Sequence, residues 1–187
     1  MLEIILTSEE IEAALNNPRL RVGVEKYLDL QQGLQVGDCF NNEAFRKSFK
    51  SFYKVRFLQE VGVNELFRLL KEQRQKEKDL REILMCMYEA TGQLHKSFSS
   101  KIVATCNPDM PVIDSKVLQR IKEDGRRVVI PSTVEGIVEF YEKMKIAYKD
   151  FLDTKKHDLV ARFCNKFPEE SKEISEIKML DFVLWQA

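Results

Sequence analysis

Between Val134 and Leu152 the apolar positions Ile137, Phe140, Tyr141, Met144, Ala147, Tyr148 and Phe151 keep a helical period. A strand turns successive side chains to opposite faces and would scatter these residues, whereas a helix gathers them into one stripe. The same period returns in Phe45, Phe49, Phe52, Tyr53 and Phe57, spaced i, i+4, i+7, i+8 and i+12, and predicts a helix from Glu43 to Leu58 capped by Asn41 or Asn42. Outside the N-terminus, Arg126-Arg127-Val128-Val129-Ile130 is the only short β-like run. One such run cannot make a sheet, so it reads as an extended link. The expected fold class is all-α, with eight to ten helices.

Punctuation between the apolar stripes sets the expected boundaries. Ser8-Glu9-Glu10 opens a first helix that ends at Asn16-Asn17-Pro18, and a second covers Leu20 to Leu30. Gly33 and Gly37 are expected to loosen the chain, and Gly62-Val63-Asn64 to break it before a helix from Glu65 to about Lys71. The charged and amide run Glu72 to Lys78 reads as a helix end or an exposed turn. Further helices are expected over Asp79–Glu89, Ser97–Cys106 and Ser115–Glu123, the last ended by Asp124-Gly125. Pro131-Ser132-Thr133 caps the helix from Val134 to Leu152. Two more follow, over Lys156–Phe167 and, after Pro168, Ile174–Gln186.

The stretch from Ala90 to Ile121 carries most of the chemistry. Gly92 is placed to turn the chain after one helix, because glycine enters positive φ without a Cβ penalty. Asn107-Pro108-Asp109 stops the next helix, and Pro111 holds Met110 extended. Val112 and Ile113 are apolar and expected to be buried, and Asp114-Ser115 then opens another helix with an N-cap side chain. A carboxylate therefore stands at a helix start, just after an apolar dipeptide, with a glycine-turned helical hairpin upstream.

This arrangement resembles the helix-hairpin-helix DNA glycosylase superfamily, the group containing the endonuclease III-like and 8-oxoguanine glycosylases. There a hairpin of the form L-P-G-x-G-x-K is followed, close to eighteen residues after its Lys, by V-D-[ST]-x-[VI]. Pro111-Val112-Ile113-Asp114-Ser115-Lys116-Val117 is similar to the second element, and Gly92-Gln93-Leu94-His95-Lys96 to the first, with Lys96 eighteen positions before Asp114. Leu94 stands where the family has the second hairpin glycine, and Thr91 where it has proline. Ser100-Lys101-Ile102-Val103, Asn107-Pro108 and Pro111-Val112-Ile113-Asp114-Ser115 also look like the S-K-[IL]-[LV], N-P and P-[IV]-x-D-S elements of bacterial proteins similar to the 8-oxoguanine glycosylases. Lys178-Met179-Leu180-Asp181-Phe182-Val183-Leu184-Trp185 looks like the terminal helix of the same proteins.

The resemblance implies a single glycosylase-like unit of two closely packed helical lobes. One spans about 42–125, the other 1–41 plus 126–187, and a substrate cleft lies between them. It implies DNA as the partner, with Gly92, Gln93, His95, Ser97, Ser115 and Lys116 at the DNA. Asp114 is then the catalytic carboxylate, stabilising an oxocarbenium-like state or activating water. Lys96 is the amine that forms a Schiff base after base loss, and Lys101 competes for that role, since on the inner helix face it can pair with Asp114. Read without the family, Asp114 is a helix N-cap and Lys96 a surface lysine near a helix start. A flipped base would have to be sandwiched between aromatic faces.

Composition bounds the partners. Thirty Lys+Arg against thirty Asp+Glu give no net charge, which argues mildly against strong non-specific DNA binding. The basic positions Arg46, Lys47, Lys50, Lys54 and Arg56 read either as a phosphate-tracking face or as plain solvation. No apolar run approaches the roughly 18 residues of a membrane span, and Met1 to Leu6 has no basic n-region. Cys39, Cys86, Cys106 and Cys164 show no C-x-x-C spacing, so neither a metal site nor another cofactor is expected. A reduced, cytoplasmic protein follows, with no oligomeric state assigned. The alternative function is a non-catalytic helical protein on the same scaffold, binding a protein partner or a small ligand. A positive cleft would favour DNA, and a neutral or acidic one the alternative.

Overall fold

The computed structural model describes residues 1–36, 39–56, 58–76 and 79–187. Gly37 as a loosening point, Phe57 as the end of the phenylalanine stripe, and Glu77 and Lys78 in the charged run lie outside the described residues. The elements are β1 (Leu2–Ile4), α1 (Ser8–Asn16), α2 (Pro18–Gln35), α3 (Glu43–Phe52), α4 (Glu60–Gln75), α5 (Leu80–Thr91), α6 (Lys96–Cys106), α7 (Ser115–Arg120), β2 (Ile121–Glu123), β3 (Arg126–Arg127), α8 (Val134–Lys166) and α9 (Glu176–Gln186). Short 3₁₀ turns occupy Cys39–Asn41 and Glu170–Glu173. Nine helices among the described residues make the fold all-α. No helix among them is long and apolar enough to cross a membrane.

Local chemistry explains most helix starts. Thr7, rather than Ser8, caps α1 and forms a reciprocal box with Glu10. Asp79 and Glu82 form a second such box on α5, and Asn42 and Thr133 cap α3 and α8. Several expected breaks are absent. Gly33 lies inside α2, with Phe45 Cδ2 only 3.0 Å from where a Cβ would stand. Gly62 lies inside α4 and marks a close approach, since a Cβ there would meet Leu58 Cδ1 at 2.7 Å. The two helices expected beyond Thr133 are one α-helix of 33 residues. At the expected break, Thr154 turns its hydroxyl back onto the Asp150 and Phe151 carbonyls and so stays within the helix.

The sheet corrects another expectation. Arg126 and Arg127 are not in a link but in β3, and the predicted helix from Ser115 stops at Arg120 because Ile121–Glu123 is β2. Asp124 (φ 49°) and Gly125 (φ 76°) both take positive φ, the requirement of a type I′ hairpin turn. The order β1-β2-β3 is antiparallel throughout, with Leu2 opposite Glu123 and Ile4 opposite Ile121. Leu2, Ile4 and Ile121 are buried, and β1 packs on α8.

One continuous apolar core runs through the molecule. Within it α4, α5 and α6 pack on one another, while α1, α2, α8 and α9 form a second group. The α3 helix ends early, at Phe52. Val55 N–H bonds the Lys50 carbonyl, the closing bond of a Schellman turn, and Lys54 takes the left-handed position (φ 53°) where glycine is usual. That turn brings Tyr53 and Lys54 to the N-terminal half of α6 and the start of α7.

Candidate active-site cleft

Gly92 closes α5 in the left-handed conformation, φ 71°, with its N–H on the Tyr88 carbonyl at 2.7 Å. The chain then reverses, and α6 starts at Lys96. One turn into α6 lies Lys101, 5% exposed despite its charge. Its Nζ donates to the Tyr53 carbonyl at 3.1 Å and stands 3.4 Å from Asp114 Oδ2. The Phe98 and Tyr53 ring centroids lie 5.7 and 5.9 Å from the same nitrogen. Burial pulls the ammonium below the ordinary lysine range, and Asp114 pulls the other way.

Asp114 holds two positions at once. Its Oδ1 accepts from the Lys116 amide at 3.0 Å as the N-cap of α7, and its Oδ2 faces Lys101. Three different elements fix the segment before it. Tyr141 of α8 donates its hydroxyl to the Pro111 carbonyl at 2.8 Å. The Val112 amide donates to the Asp181 carboxylate of α9. Ser100 of α6 accepts from the Ile113 amide at 2.9 Å. Val112 and Ile113 are buried, as their sequence position predicts.

Asp181 is fully buried with Lys178, their charged atoms 2.6 Å apart, and Tyr148 donates to Asp181 Oδ1 at 2.7 Å. Burial pushes the Asp181 carboxyl upward, while Lys178, the Tyr148 hydroxyl and the Val112 amide pull it down. This ionic cluster lies directly beneath the loop that carries Asp114.

A cleft of about 540 Å³ opens over Lys101 and Asp114. Lys96, His95, Ser97 and Ser115 line it too, so six of the residues singled out in the sequence converge on one space. Lys96 is half-buried and reaches the Ile130 carbonyl at 3.4 Å, and burial lowers the pKa of His95. Gly92 and Gln93 stand at the turn, outside the lining. Lys116 points elsewhere, its Nζ on the Trp185 carbonyl at 2.9 Å. The cleft also takes Tyr53 and Lys54, which sequence reasoning left on a helix stripe and a basic face. No glycine or proline marks the turn at Lys54, so nothing local announces it.

Of that basic face, Arg46, Lys47 and Lys50 line one surface groove and Lys54 lines the cleft. Arg46 lies over the Phe67 ring at 4.5 Å and bonds Asn64, and Lys47 pairs with Glu43 at 2.9 Å. The cleft is lined by Lys54, Lys96 and Lys101 and by the carboxylate of Asp114, which Lys101 reaches. Net neutrality of the chain thus coexists with a cleft whose lining holds three lysines and one carboxylate. Chemically, the site offers a desolvated amine beside a carboxylate, walled by Tyr53, Phe98 and Ile113. Scans of family models, curated proteins and solved structures return no match to this chain.

Proposed function

We propose that this cleft binds DNA and excises a damaged purine by cleaving its N-glycosidic bond, in the manner of the base-excision glycosylases. The observation that carries the reading is the contact between Lys101 and Asp114 inside a lysine-lined cleft. A neutral Lys101 amine attacks the sugar C1′, and the C1′–N bond breaks with its electron pair leaving on the purine. The purine takes up the proton released by the attacking nitrogen. Asp114 faces the positive charge that develops on the sugar. Burial supplies the depressed amine pKa that such a nucleophile needs. Lys96, on the same cleft and bonded to the Ile130 carbonyl, is the second candidate amine.

One observation favours the alternative of a non-catalytic scaffold that binds a protein or a small ligand. Both oxygens of Asp114 already have partners, one as a helix cap and one as counter-charge to Lys101. A single-turnover assay on duplexes carrying 8-oxoguanine, uracil or an abasic site, with borohydride to trap a Schiff base, separates the two. Excision is expected, lost by at least about 100-fold in Asp114→Asn, on the scale of general acid–base and electrostatic contributions. The trapped adduct is expected to vanish in Lys101→Gln and persist in Lys96→Gln. The reverse pattern moves the nucleophile to Lys96. Absence of excision on every duplex would refute the glycosylase reading.

A further inference from the structure

On the far side of Lys54 lies a second pocket, of about 520 Å³, that the excision reading leaves unused. Its floor is aromatic. Phe52 and Trp185 meet there with ring centroids 5.6 Å apart, and Val22, 48% exposed, continues the apolar surface. Its rim carries Arg19, Lys26, Lys54 and Lys116, and no carboxylate lines it. Among the described residues Arg19, Lys26 and Lys54 make no ion pair, and Lys116 spends its donor on the Trp185 carbonyl. Surface cations elsewhere on this protein commonly pair, as Arg21 does with Glu170, Lys156 with Glu176 and Arg162 with Glu12 and Asp158.

Four unneutralised cations around an aromatic floor repel one another and await an anion with a flat apolar part. We propose that this pocket binds one nucleotide of a DNA strand, its base against Trp185 and Phe52 and its phosphates on Arg19, Lys26, Lys54 and Lys116. Stacking on an aromatic floor with lysine and arginine tracking the backbone is the general mode for single strands. Lys54 lines both this pocket and the catalytic cleft, so the bound nucleotide is a neighbour of the one presented there. The left-handed backbone at Lys54 is what sets its side chain between the two spaces. The proposal extends the DNA reading of the cleft and stands whether or not the cleft excises a base.

Trp185 is the chain's single tryptophan, so its fluorescence reports on this pocket alone. The full chain is titrated at low salt with a short oligothymidylate, thymidine 5′-monophosphate, thymidine and inorganic phosphate. Quenching is expected with the oligomer, more weakly with the monophosphate, and not with thymidine or inorganic phosphate at the same concentration. Arg19→Gln and Lys54→Gly are each expected to weaken oligomer binding several-fold and to lower the salt slope of log K by about 0.7. Lys54→Gly places glycine where the turn prefers it, so its thermal midpoint should not fall, and a misfolded variant cannot explain the loss. No quenching by the oligomer, or unaltered affinity in both variants, overturns the proposal. Equal affinity for monophosphate and oligomer overturns the assignment to a strand. Quenching without excision in the same preparation upholds this pocket and removes the catalytic reading of the cleft.

Discussion

At the residue scale the decisive group is Lys101. Its ammonium is buried, and its pKa in the folded protein lies below the value of about 10.4 that it regains on unfolding. Between those two values the unfolded chain holds a proton that the folded chain has released, so raising the pH favours the fold. The wild type is therefore expected to gain stability relative to Lys101→Met as the pH is taken from neutral toward about 10. Denaturant midpoints measured for both proteins across that range would show it. A constant difference would mean that Lys101 titrates alike in both states. The role of Asp114 was partly legible in the sequence, because N-cap chemistry is local and Asp114-Ser115 follows a proline-bounded apolar pair. Its pairing with Lys101 could only be raised as one option, since it depends on which face of α6 turns inward. Tyr53 and Lys54 were illegible as site residues, because the turn that delivers them breaks the helix with a lysine.

At the scale of elements, helix ends do more to place the cleft than helix middles. Gly92→Ala would put a Cβ into open space, for nothing lies within 4 Å, so its cost is purely conformational. The expected loss is about 1–2 kcal/mol, the price of a left-handed alanine, read from thermal or denaturant unfolding. A neutral result would mean that the α5–α6 turn relaxes to another conformation. Sequence patterns found the existence of the helices but not all of their limits. Asp124-Gly125 has the pattern of a helix stop but forms a hairpin turn, because a strand of three residues has too few positions to show alternation. Ile121 suited either the apolar face of α7 or the inner face of the sheet, and pairing with β1 decided for the sheet. Gly62 has the pattern of a breaker, yet close packing against Leu58 and Thr91 accounts for its place within α4.

At the scale of the whole molecule, the buried pair of Lys178 and Asp181 ties α9, α8 and the Asp114 loop into one body. Removing one partner strands a charge in the core, so Asp181→Ala is expected to cost about 3–5 kcal/mol. The double variant Lys178→Met with Asp181→Leu should recover part of that loss, because no charge is then stranded, while the Tyr148 hydroxyl and the Val112 amide still lack their acceptor. Chemical denaturation of the three proteins tests this, and a double variant as unstable as the single one would show that shape, not charge, sets the cost. The sheet has a consequence for how the chain is made. Leu2 is synthesised before α1 to α7, and its partner Glu123 follows only after all of them. Throughout that interval the apolar Leu2 and Ile4 have neither strand nor α8 to cover them. The strand β1 is thus among the last parts to settle, and a chaperone that holds exposed nascent segments would find its target there.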